Sequence, residues 1–210
     1  MNTAINTGVI KQRESHSSAR MISNPGINLA FSLLFAALMA ISANSFIYLP
    51  FTPVPITTQV LTVLLSGLFL GSRWASVSQI IYIFIGVMGF PVFSGFKNGI
   101  VALGGPTGGY IMGFIVAAFI SGYIYENSEK VSGNAAGNLI ACFISCVAGV
   151  MIIHLFGFIH LAGYIHNAAG SGSIFDIITK TWKLGTEPFL LIDFFKIIFA
   201  LIIINLKYKK

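Results

Sequence analysis

Six long apolar stretches constrain this chain more than any other feature. They run from Asn28 to Leu49, Thr57 to Gly71, Trp74 to Phe90, Tyr110 to Tyr125, Asn138 to His160 and Phe189 to Leu206. A helix needs roughly 17–25 residues to cross the hydrocarbon core of a bilayer. The second and fourth stretches are short for that, so they either reach into the adjoining loops or end elsewhere. Within each stretch apolar residues surround the helix instead of forming one stripe, the pattern of a helix in lipid. Composition agrees: 56 % of the 210 residues are hydrophobic and 9 % charged. A single water-soluble core cannot hide that much apolar surface. An ordinary soluble protein, a disordered chain and a nucleic-acid binder are thereby excluded. The expected fold is an all-α integral membrane protein, a bundle of six transmembrane helices.

An even number of spans puts both termini on one side of the membrane. If that side is the cytoplasm, the inner segments carry eight basic residues: Lys11, Arg13, Arg20, Arg73, Lys130, Lys207, Lys209 and Lys210. The outer loops carry three, Lys97, Lys180 and Lys183, and Lys196 lies inside a span. This bias is the one that cytoplasmic loops show. The net charge of +6 is therefore read as topology and not as a sign of an acidic partner. The chain divides into a polar cytoplasmic segment over 1–27, a membrane domain over 28–206 and a basic tail over 207–210. The first segment has no signal-peptide pattern, and its composition predicts disorder.

The connections differ in character. Pro50 to Pro55 holds three prolines in six residues, which makes it stiff and extended. Pro91 to Gly109 is rich in glycine, which lets backbone approach a ligand or another helix closely. Gly71 to Trp74 is a tight inner turn. Leu161 to Pro188 is long, with a short helix expected around Ile174 to Trp182. Cys142 and Cys146, i and i+4 in an apolar run, read as packing residues.

The strongest chemical signal is in the last stretch, where Asp193 and Lys196 are i and i+3 and share a helix face. Each charge costs about 2.5–3.5 kcal/mol at the centre of a spanning helix, so both should face the bundle interior or a water-filled cavity. Counting from Pro188 at about 1.5 Å per residue places them in the outer half of the membrane. One acceptor and one cation suit a ligand with N–H donors and a carboxylate; the alternative is an ion pair that only neutralises itself. On the first helix Ser32, Ala36, Ala40 and Asn44 form a small-residue ridge, suited equally to packing within the bundle and to a partner protein. Gly104 to Gly109 lacks the Gly-Lys-Ser/Thr ending of a phosphate loop. His154 and His160 lack the spacing and the glutamate of a helical zinc site; polar packing is expected for His154 and interface exposure for His160. Gln59, Gln79 and Asn98 are further polar candidates. An intramembrane enzyme using Asp193 and Lys196 as acid and base would lack a nucleophile or metal cluster, so no enzymatic activity and no cofactor are expected.

Four motifs in order carry a resemblance. They are Leu49-Pro-Phe-Thr-Pro-Val-Pro-Ile-Thr-Thr-Gln59, Gly86-Val-Met-Gly-Phe-Pro-Val-Phe-Ser-Gly95, Gly105-Pro-Thr-Gly-Gly-Tyr110 and Asp193-Phe-Phe-Lys196. The chain from about Asn28 to Leu206 resembles the BioY family, the biotin-binding S components of energy-coupling-factor (ECF) transporters. The resemblance implies a six-helix bundle of the S-component type in a bacterial cell membrane, with a biotin pocket opening outward under the loop between the first two helices. It implies that Asp193 accepts from the ureido N–H groups and that Lys196 pairs with the valerate carboxylate. It implies that Lys97 or Asn98 reaches the ligand from the glycine-rich loop. Some members carry an arginine directly after Gly-Gly-Tyr; this chain has Ile111, and Lys97 is the candidate replacement. Gln59, Tyr110 and Phe93 are further pocket candidates. The implied partners are a transmembrane coupling subunit and two ATPase subunits, with Ser32, Ala36 and Ala40 presented to the coupling subunit. A carrier that works alone is the alternative.

Overall fold

In a computed structural model, residues 24–131, 135–169 and 173–208 are described. The expected N-terminal segment therefore lies outside the described residues up to residue 23, and the end of the basic tail lies outside them at 209–210. Helix α1, Pro25–Asn44, starts three residues before the expected boundary. The Asn24 side-chain oxygen accepts the Gly26 N–H at 2.9 Å, and Pro25 opens the first turn. Both are favoured there, since the first N–H groups of a helix lack internal partners. The helix ends at Asn44, and two short antiparallel strands follow, β1 (Phe46–Ile47) and β2 (Ile56–Thr57). The proline-rich segment is the tip of this hairpin. Its Thr52 hydroxyl donates to the Leu184 carbonyl and accepts the Val54 N–H.

Helix α2, Gln59–Val87, contains two spans. Gly71 has φ +75° and ψ 177°, which breaks the helix at one residue. The two halves then run back along each other: Gln59 Nε2 donates to the Tyr82 hydroxyl at 3.0 Å, and Gln79 Nε2 to Ser66 Oγ at 3.4 Å. In a continuous helix residues 59 and 82 would lie about 35 Å apart. The Glu126 carboxylate locks the turn by accepting the Ser72 N–H at 3.1 Å and the Ser72 hydroxyl at 2.9 Å. The first half, 59–70, is only about 18 Å long, and the β-hairpin continues that span at its other end.

A short helix α3 (Gly99–Leu103) precedes α4 (Gly108–Val131) and α5 (Ala135–Ala169). Helix α6 (Ile174–Gly185) and helix α7 (Glu187–Tyr208) complete the chain. Much of the long connection expected after Leu161 is thus helical. Along α6, Ile174, Phe175, Ile178 and Trp182 are exposed on one face, Lys180 and Lys183 lie on another, and Thr181 and Gly185 are buried on a third. That division suits a helix lying along a membrane surface. Among the described residues five helices are long and apolar enough to cross a bilayer, and the break in α2 turns five into six spans. The chain is a multi-pass membrane protein with an all-α, six-span bundle.

Two packed cores hold the spans together. One centres on Met39, Val63, Tyr82, Phe93, Phe114 and Ile153. The other centres on Leu64, Leu68, Tyr125 and Ile204 and takes in both free cysteines, Cys142 and Cys146. Large side chains such as Leu34, Ile41, Ile144 and Phe199 point outward, as lipid-facing residues do.

The small-residue ridge of α1 packs at least in part within the bundle. Ser32 and Ala36 are buried within the bundle, and the Ser32 hydroxyl donates to the Trp74 carbonyl at 3.0 Å. Ala40 is half-buried against the same core. Asn44 ends the ridge at the loop side of α1, accepting the Phe96 N–H at 2.9 Å. Small side chains permit close approach of helices, and here the chain's own α2 makes that approach.

Candidate functional site

A narrow cavity opens among the spans where several elements converge. Val54 and Pro55 from the proline-rich tip, Thr57 at the end of β2 and Gln59 at the start of α2 form one side. Ser94 and Thr107 come from the glycine-rich connection, and Tyr110, Ile111 and Phe114 from α4. Ile153 and His154 on α5, with Phe189, Asp193 and Lys196 on α7, close the other side. The volume is about 50 Å³, room for a few waters.

The polar centre of the wall is Asp193, which is 2 % exposed. The Lys196 ammonium donates to its Oδ1 at 2.8 Å, and the His154 Nε2 lies 2.8 Å from its Oδ2. The i,i+3 spacing on α7 brings Lys196 over the carboxylate, while His154 reaches it from α5. An ionised carboxylate only accepts hydrogen bonds, so His154 donates through Nε2. Each carboxylate oxygen thus already has one partner, and spare lone pairs remain.

Tyr110 stands beside this group. Its hydroxyl donates to the Gly185 carbonyl at 2.7 Å, and its ring meets the His154 ring edge-to-face at 6.2 Å. The ring fits because residue 157 on α5 is glycine: a Cβ there would lie 2.2 Å from Tyr110 Cε1. Gln59 is buried and tied at both ends, accepting from the Thr57 hydroxyl at 3.2 Å and donating to Tyr82. Tyr82 in turn donates to the Val92 carbonyl at 3.3 Å. Gln59 therefore links the floor of the proline-rich hairpin to the glycine-rich connection.

The structure brings Asp193, Lys196, Tyr110 and Gln59 to one cavity and leaves Lys97 and Asn98 outside it. Lys97 exchanges backbone hydrogen bonds with Phe93, at 3.0 and 3.2 Å. Gly95 (φ +75°) and Phe96 (φ +57°) close the turn between them. That turn directs Lys97 and Asn98 to the surface, where both are exposed. Neither reaches the cavity, and Ile111, in the position where an arginine was of interest, presents an apolar wall. Phe93 is buried edge-to-face against Tyr82 and does not line the cavity.

His154 is the site residue the sequence reading missed. A single histidine in an apolar helix, 39 residues from its partner, has no spacing to mark it; its presence inside a span, where polar groups are expensive, was the available signal. His160 also differs from expectation. It is half-buried, and its Nε2 donates to the Gly105 carbonyl at 2.9 Å. It pins the glycine-rich segment that carries Thr107 to the cavity.

A family model described as the BioY family matches residues 14–209. A biotin transporter BioY of Thermotoga maritima is 37 % identical over 177 residues, covering 84 % of this chain and 92 % of that protein. A probable biotin transporter BioY of Pyrococcus horikoshii is 35 % identical over 170 residues, covering 81 % and 89 %. The fold matches a crystal structure of the S-component for biotin from an ECF-type ABC transporter with a TM-score of 0.71. That match covers 90 % of this chain and 95 % of the other at 23 % identity, a likeness of fold.

Proposed function

The chain belongs to the BioY family, and from that premise we propose that it is the membrane-embedded substrate-binding component for biotin uptake. The observation that carries this reading is the buried Asp193 carboxylate, held by Lys196 and His154 on the wall of a cavity inside the bundle. Biotin offers two ureido N–H donors at one end and a carboxylate at the other, with an apolar bicycle between them. A carboxylate recognises the first, an ammonium the second, and side chains such as Tyr110, Ile111 and Phe114 the third.

The pair has to part for this to happen. Asp193 and Lys196 touch, whereas the two polar ends of extended biotin are far apart. Lys196 swings from Oδ1 to the ligand carboxylate, and Oδ1 then accepts a ureido N–H. The cavity must also widen, since about 50 Å³ is too small for a bicyclic ligand. The proline-rich tip is the natural cover, tethered to the bundle through Thr52 and Leu184. Gln59 and Tyr110 shape the wall, and Lys97 and Asn98 lie outside the cavity.

Uptake is driven from outside this chain by a transmembrane coupling subunit and two ATPase subunits. The sequence contains no phosphate loop of its own, its relatives are transporters, and no chemical reaction is needed at the site. Both termini lie in the cytoplasm by the Lys/Arg bias, and the cavity then opens outward.

The test is labelled-biotin handling in bacterial cells lacking their own biotin transport. Membranes carrying this chain alone are expected to retain biotin, with accumulation inside the cell requiring the coupling module. Failure of the membranes to retain biotin would contradict the reading. Accumulation by the chain alone would favour the independent carrier.

A further inference from the structure

We infer that His154 is a third ligand-binding residue, whose Nδ1 accepts one N–H of the ligand while its Nε2–H holds Asp193. This rests on the reading of the cavity as a biotin site. The partners of Asp193 fix the tautomer of His154. Lys196 donates to Oδ1 of Asp193 at 2.8 Å, which keeps the carboxylate ionised, and His154 Nε2 sits 2.8 Å from Oδ2. Nε2 therefore carries the proton. In the neutral imidazole the other nitrogen is an acceptor.

That acceptor has no partner. His154 Nδ1 is sealed from solvent and makes no hydrogen bond among the described residues. The rings flanking the imidazole are Tyr110 at 6.2 Å and Phe189 at 6.5 Å. Phenylalanine has nothing to donate, and the Tyr110 hydroxyl is already committed to the Gly185 carbonyl. Buried polar atoms are normally satisfied, and an open one needs an explanation. His154 lines the same cavity as Asp193 and Lys196, so once that cavity widens for the ligand the missing donor is one the ligand brings.

The count of ligand groups agrees. A cyclic urea has two N–H groups that diverge on either side of its carbonyl. When Lys196 leaves for the ligand carboxylate, Oδ1 of Asp193 receives one of them. The second needs another acceptor, and Nδ1 is available. His154 also keeps Oδ2 anchored while the other side of the carboxylate changes partner, so it both positions Asp193 and reads the ligand.

Two variants and two ligands separate these roles. Glutamine places an N–H near the position of Nε2 and so preserves the contact with Asp193, but it has no atom equivalent to Nδ1; alanine removes both. The ligands are cyclic carbamate analogues of biotin in which one or the other ureido N–H is replaced by oxygen. Titration of the purified full-length chain is expected to show His154→Gln melting like wild type yet binding biotin about tenfold more weakly, the size of one buried hydrogen bond. His154→Ala should lose more. One carbamate should discriminate strongly against wild type and weakly against His154→Gln, a coupling that additive roles do not produce. The other carbamate should lose the same factor in both. Wild-type affinity in His154→Gln, losses for both carbamates that are the same in His154→Gln as in wild type, or proton uptake by His154 on binding would each overturn the proposal. Absence of biotin binding by wild type would instead overturn the cavity reading, and this inference with it.

Discussion

Asp193→Asn is expected to weaken biotin binding by about a hundredfold or more. One charged hydrogen bond to a ligand contributes about 1.5–3 kcal/mol, and 2.7 kcal/mol is about a hundredfold. The asparagine amide also brings donors where Lys196 and His154 already present theirs. The Lys196 ammonium is then left unpaired inside a span, and breaking a buried pair costs about 3–5 kcal/mol. A drop in thermal midpoint in detergent should therefore accompany the loss of affinity. The double variant Asp193→Asn/Lys196→Met removes the stranded charge. Its midpoint should recover towards wild type while its biotin binding does not. A folded double variant that binds biotin as well as wild type would remove Asp193 and Lys196 from the site.

The second large effect is at the hairpin of α2. Gly71→Val should abolish recovery of folded, monodisperse protein after detergent extraction. A side chain at φ +75° and ψ 177° is strained by about 1–3 kcal/mol. The larger penalty is the lost anchor, because a Cβ at residue 71 would lie 1.8 Å from Glu126 Oε1 and displace that carboxylate. Glu126 would have to leave, and both of its bonds to Ser72 would go with it. The spans of α2 are pinned across their length by Gln59–Tyr82 and Gln79–Ser66, so an error at the pivot misplaces both. Size-exclusion profiles and thermal midpoints measure this. A Gly71→Val protein that elutes and melts like wild type would show that the reversal does not depend on glycine.

The spans were legible because hydropathy acts locally. Each apolar stretch must be long enough for the bilayer whatever it packs against, and the reversal at Gly71 shows in the sequence as the boundary between the second and third stretches. Asp193 and Lys196 were legible for a related reason: charges in a span are expensive, and i,i+3 spacing puts them on one face. What covers a surface was not legible. The ridge of Ser32, Ala36 and Ala40 reads the same whether its neighbour is Trp74 of the same chain or another protein. The register of the glycine-rich connection was also hidden. Whether Lys97 and Asn98 face a ligand is decided by the turn at Gly95 and Phe96 and by its bond to Asn44, a contact between distant segments. His154 was hidden because its role exists only once α5 lies beside α7.

The relation between the buried pair and the ligand is tested most directly by calorimetric titration of the purified chain with biotin and with biotin methyl ester. The ester keeps the ureido ring and bicycle and removes the anion that would draw Lys196 away from Asp193. Wild type is expected to bind biotin at one site per chain and the ester at least tenfold more weakly, a difference of about 1.4 kcal/mol. In Lys196→Met the two ligands should bind with nearly equal affinity. Equal binding of biotin and ester by wild type would contradict the account, since Lys196 would then be a partner of Asp193 alone.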